Sequence, residues 1–147
     1  MRFMMIPTPA PGSPPPAAEE SFDEKTFSAY MRYNEEMFVA GVLVASEGVM
    51  PGATGAHAHV AVRGGRRTVT DGPFTETKEL VAGFWLIDVK SKAEAIEWAM
   101  RCPVNPAGDE VIELRQLTGA TDLPPELVAL CIAAAPRWSE SWREGRT

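Results

Sequence analysis

The run Leu80–Val89, LVAGFWLIDV, constrains the fold more than any other stretch of the chain. Around Gly83-Phe84-Trp85-Leu86 it is apolar at consecutive positions, so neither face of a strand here is suited to water. It reads as a central strand buried on both faces. The chain reaches it through TVTDGPFTETKE, where a β-branched run stops at Asp71-Gly72-Pro73 and a charged cluster follows. That tract is a turn by its composition. What remains open is whether Asp71 also does chemistry.

Other elements can be placed around this strand. Met1–Ile6 is short and apolar and reads as a buried strand cut off by Pro7. Residues 7–20 are proline-rich without periodicity and read as a polyproline-like loop. Ser21 is a candidate N-cap, with Glu24 at capping-box spacing, for a helix over 22–40 that stops at Gly41. Its predicted inward stripe is Phe27, Tyr30, Met31, Asn34 and Phe38. Asn34 and the Tyr30 hydroxyl are polar groups on that face, so each must find a partner or line a cavity.

Val42–Met50 reads as a strand disturbed by Glu47-Gly48. His57–Val62 and Arg67–Thr70 read as two strands of a hairpin turning through Arg63-Gly64-Gly65-Arg66. Ser91 caps a second helix over Lys92–Cys102, which Pro103 ends. Asp109–Leu117 alternates as a last strand. Beyond it, Pro124–Ala135 reads as a helix ending at Pro136, followed by Trp138 and Trp142 on a tail that should dock on the body or on a partner subunit.

The order is β-α-β-(β-hairpin)-β-α-β. Two helices on one face of an antiparallel sheet make a ferredoxin-like α+β plan. The sheet's other face stays apolar unless something covers it, and a second copy packed face to face, as a homodimer with a barrel-like core, is the expected solution.

With 147 residues the chain is one domain by size and can bury one core. Its net charge of −6 argues against sequence-independent nucleic-acid binding and against docking on an anionic membrane. Cys102 and Cys131 form no CxxC and no zinc pattern with the histidines, so they read as reduced thiols. No apolar run is long enough to span a bilayer. MRFMMIPTPAP is too short and proline-broken for a signal peptide, so the expectation is a soluble, cytoplasmic protein.

The tract DGPFTETKE carries a resemblance. With AGVLVASEGV before it, and VAGFWLIDV and AIEWAMRCP after it, the chain resembles the DGPF branch of the YCII-related proteins over residues 1–117, leaving 118–147 as a helical extension. The resemblance implies a dimeric α+β barrel. Relatives include a muconate dehydrochlorinase, and members of the branch often sit beside genes for extracytoplasmic-function sigma factors. In the wider family a histidine on the first helix and a loop aspartate are proposed as an acid–base pair. Here no histidine lies between Phe22 and Gly41. Tyr30 stands nearest that position, with Asn34 a turn further on, and Asp71 best matches the aspartate.

The candidate site is therefore a cleft between the first helix and the sheet. Asp71 and Tyr30 are the candidate catalytic residues. Asp71 is either a general base or the Asx residue of a rigid turn. Asn34, Glu47, His59 and Phe74 are candidate substrate-binding residues. Glu47 is either a cleft carboxylate or a solvated one. His57 and His59 share a strand face and, with Glu47, have the composition of a metal site, though the pair more simply faces solvent or substrate. With no phosphate-binding glycine loop, cofactor-free chemistry is expected. Two functions stay open: acid–base elimination or isomerisation of a small acidic or aromatic compound, or a non-catalytic ligand-binding or regulatory role linked to a sigma factor.

Overall fold

The computed structural model describes residues 1–12, 24–50, 58–72, 83–103 and 109–143. In chain order the elements are β1 (Arg2–Pro9), α1 (Glu24–Val39), β2 (Leu43–Gly48), β3 (Ala58–Arg63), β4 (Arg66–Asp71) and β5 (Gly83–Asp88). They continue with α2 (Lys92–Met100), β6 (Glu110–Gln116), a 3-10 turn at Ala120–Asp122, α3 (Pro125–Ala134) and α4 (Pro136–Arg143).

β2, β5, β1 and β6 form one sheet in that order, each pair antiparallel, and β3 pairs with β4 in a separate hairpin. The mixed α+β architecture is compatible with the expected ferredoxin-like plan. β5 and β1 are the inner strands, as the apolar LVAGFWLIDV run requires. Directly paired residues share a face, so Phe3 opposite Ile87 and Met5 opposite Trp85 define the side that α1 and α2 cover. Tyr33 and Met37 of α1 and Ala95 and Trp98 of α2 close one core cluster over them.

Two expectations need correcting. β1 does not stop at Pro7 but runs to Pro9, with Pro7 opposite Ile112 and Pro9 opposite Glu110. The Ala10 amide donates to the Asp109 carbonyl, so the backbone nitrogens of Pro7 and Pro9 lie on the opposite edge of the strand. Pairing with β5 has already ended at Met5 on that edge, so no ladder bond is lost. The inward face of α1 is also rotated from the predicted stripe. Tyr33 and Met37 are buried, whereas Phe27, Met31 and Phe38 are exposed at 52%, 44% and 69%. Tyr33 can displace a phenylalanine because its hydroxyl donates to the Trp98 carbonyl at 2.7 Å, leaving no buried polar atom unpaired. The helix over the C-terminal segment does end before Pro136, as expected, but the tail after it is helical rather than irregular. The backbone breaks at Ala135 (φ −144°, ψ 66°), and Pro136 opens α4, where its missing amide costs nothing.

Local chemistry sets the other boundaries. The Ser91 hydroxyl accepts from the Glu94 amide at 3.2 Å, the expected N-cap of α2. Gly64 and Gly65 both adopt positive φ (55° and 77°), as a two-residue hairpin loop demands. The Ser21 cap of α1 lies outside the described residues.

Candidate functional site

The site is built where residues 30–37 of α1 cross β2 and β5. Tyr30, Tyr33, Asn34 and Met37 follow i, i+3, i+4, i+7 spacing and so form one stripe toward the sheet. Trp85, on the covered face of β5, meets that stripe. Its Nε1–H donates to Asn34 Oδ1 at 2.6 Å, and the Ser46 hydroxyl donates to the same oxygen at 3.3 Å. An indole N–H can only donate, which fixes the amide orientation: the oxygen is held by β5 and β2, and the NH2 group points the other way.

Aromatic rings surround this network. Tyr30 lies 5.8 Å from Trp85, centroid to centroid, and tilted by 34°. Tyr33 meets Trp85 edge to face at 5.7 Å and Trp98 at 6.2 Å. Such contacts hold rings rigidly. Arg101, past the end of α2, lies 4.3 Å over the Trp98 ring and pairs with Glu36 of α1, tying the two helices together at the surface.

Electrostatics decide what these groups can do. Burial pushes the Tyr30 phenol up to about 12, with the Glu110 carboxylate and then the Cys102 thiol adding to the effect. Burial, followed by Glu110, pushes Cys102 up to about 12 as well. Tyr33 is raised further, again chiefly by burial. At neutral pH, Tyr30 is therefore a hydrogen-bond donor rather than a base, and Cys102 is a thiol rather than a nucleophilic thiolate. Glu110 opens β6 on the covered face, two residues before Ile112, and its charge is felt by both groups.

The sequence-predicted residues separate into two sets. Tyr30 and Asn34 come together around Trp85. Glu47 follows Ser46 in β2, so alternation turns it to the outer face of the sheet, opposite Phe84, where it is exposed. Asp71 ends β4 opposite Ala58, and His59 in β3 sits opposite Thr70; both are exposed on the hairpin, which pairs outside the main sheet. Phe74 and His57 lie outside the described residues.

Trp85, Ser46, Cys102 and Glu110 were not among the candidates. Strand alternation would have flagged Glu110, two residues before Ile112, but not Ser46, which shares a face with Leu43 only because the ladder shifts register between Leu43 and Ala45. Gly83 also belongs to this construction. A Cβ on it would lie 2.7 Å from the Glu47 carbonyl oxygen, so only glycine lets β5 approach β2 beside Ser46.

The YCII-related domain family matches residues 1–118. The four-stranded sheet, α1, α2 and the site lie within that span, and the chain belongs to this family. No curated protein sequence matches it. α3 and α4 lie beyond the matched residues. Among the described residues, no helix is long and apolar enough to cross a membrane.

Proposed function

We propose that this chain binds a small molecule carrying a carbonyl or carboxyl oxygen in the cleft between α1 and the sheet. The observation that carries this is the fixed orientation of Asn34. With its oxygen committed to Trp85 and Ser46, the amide offers N–H donors, and the Tyr30 phenol offers another. Two donors on an aromatic wall suit an acceptor oxygen on a flat or unsaturated ligand. Calorimetric titration with benzoate and muconate as probes tests it. The proposal expects saturable binding that Asn34→Ala and Tyr30→Phe weaken. Equal binding by all three proteins would contradict it.

A second reading is acid–base elimination or isomerisation in the same cleft. What favours it is that Glu110 opens β6 on the same covered face and its charge helps keep the Tyr30 phenol protonated, which leaves one group to give a proton and one to take it. Asp71 is the other base this reading proposes, delivered by the hairpin. Turnover lost in Asp71→Asn or Glu110→Gln, with folding retained, supports it. Unchanged turnover in both removes it.

The DGPFTETKE tract supports a place in the DGPF branch, and through it the link to a sigma factor. A homodimer is part of the same proposal. The outer face of the sheet carries Met4, Leu86 and Phe84, each only partly covered, and a second copy would complete a barrel-like core.

A further inference from the structure

Among the described residues, the covered face of the four-stranded sheet carries one carboxylate and no basic side chain. Glu110 stands opposite Pro9, in step with Ile112 opposite Pro7 and Leu114 opposite Met5, so strand alternation puts it on the side that α1 and α2 cover. The basic residues of these elements lie elsewhere. Arg2 and Arg115 alternate to the outer face, and Lys25, Arg32 and Lys92 are exposed on the two helices. Arg101 is engaged at the surface by Glu36 and Trp98.

The Glu110 charge acts where the cleft's donors are. Burial first, and Glu110 second, hold both the Tyr30 phenol and the Cys102 thiol protonated. Ile112 and Leu114 pack against the core cluster that contains Cys102, which sets β6 beside the end of α2. A charge that disfavours a phenolate or a thiolate here also disfavours a ligand carboxylate, and no cation is placed to offset it. The same charge favours a ligand N–H or O–H. An ionised carboxylate has about four lone-pair sites, so the interactions Glu110 already makes leave room for a ligand donor.

We infer that the cleft selects an uncharged carbonyl compound bearing an N–H or O–H donor, such as an amide: its oxygen meets the Asn34 amide and the Tyr30 phenol, and its donor meets Glu110, the specificity residue. This specificity rests on the cleft binding proposed above and decides between the carbonyl and carboxyl oxygens that it admits. Carboxylates reach the same two donors but bind more weakly.

Benzamide and benzoate test it, because they match in size and shape and differ in charge and in the donor. Calorimetric titration of the full chain at neutral pH should show benzamide bound about tenfold or more tightly than benzoate, the margin of one hydrogen bond to a charged group. Glu110→Gln keeps the shape and removes the charge, and should cut that ratio by about tenfold, chiefly by strengthening benzoate. Asn34→Ala should weaken both probes alike. Benzoate bound by the wild type as tightly as benzamide, or a ratio unchanged in Glu110→Gln, overturns the inference; if Asn34→Ala still weakens both probes, the cleft itself stands. No binding of either probe overturns both. Should Glu110→Gln fold poorly, N,N-dimethylbenzamide puts the same question to the wild type, since it keeps the carbonyl and lacks the donor. It should lose the tenfold advantage over benzoate, and binding equal to that of benzamide overturns the inference.

Discussion

The indole of Trp85 donates to the side-chain oxygen of Asn34 at 2.6 Å, joining the central strand to the first helix through a single polar contact. Trp85 is 6% exposed, so its N–H has little access to water as an alternative partner. Asn34→Ala should therefore cost about 1–3 kcal/mol, the usual penalty for leaving a buried donor unsatisfied. Urea denaturation followed by tryptophan fluorescence measures it. A cost near zero would mean that Trp85 finds another acceptor.

Tyr30 and Tyr33 occupy the same stripe but do different work. Tyr33→Phe removes the donor to the Trp98 carbonyl and should cost about 1–2 kcal/mol. Tyr30→Phe keeps the ring against Trp85 and should change stability by less than about 0.5 kcal/mol while weakening ligand binding. Parallel melts and titrations of the two variants separate the roles.

Part of this was legible from residue order alone. Helical spacing put Tyr30 and Asn34 on the sheet side, and Gly64-Gly65 marked the hairpin turn. The alternation of strands and helices gave the split β-α-β plan. Spacing did not reveal that Tyr33 rather than Phe38 faces inward, because that depends on a carbonyl supplied by α2, far along the chain. Nor did it show that β1 passes through Pro7, since a proline's tolerance depends on how far the neighbouring strand extends. Glu110 looked like an ordinary strand carboxylate until β6 was set beside the end of α2. Asp71 stood out by its motif, but its motif says nothing about which surface the hairpin meets.

Gly83→Ala tests the close approach of β5 to β2. The added Cβ meets a backbone oxygen, which cannot rotate away. A loss of about 1–3 kcal/mol is expected, with Ser46 shifted from Asn34. A neutral substitution would show that the strand spacing is soft.

Alkaline pH should unfold the protein. Tyr30 and Cys102 ionise near 12 when folded, against 10.0 and 9.0 when unfolded. Between those limits the unfolded chain has released protons that the folded chain still holds, so stability falls as pH rises. The loss begins near pH 9 with Cys102 and continues to about pH 12. Its slope is at most about 1.4 kcal/mol per pH unit for each group, and smaller for Tyr30, which keeps some solvent contact. Cys102→Ala should delay the onset by about one pH unit. Denaturant midpoints from pH 7 to 11 measure both.

The most direct test of the proposed cleft follows the Trp85 indole N–H and the Asn34 side-chain NH2 by 15N NMR while benzoate or muconate is added. The account predicts saturable shifts of both signals at one common affinity, lost in Tyr30→Phe. Shifts confined to other surfaces, with Trp85 and Asn34 unmoved at saturation, would contradict it.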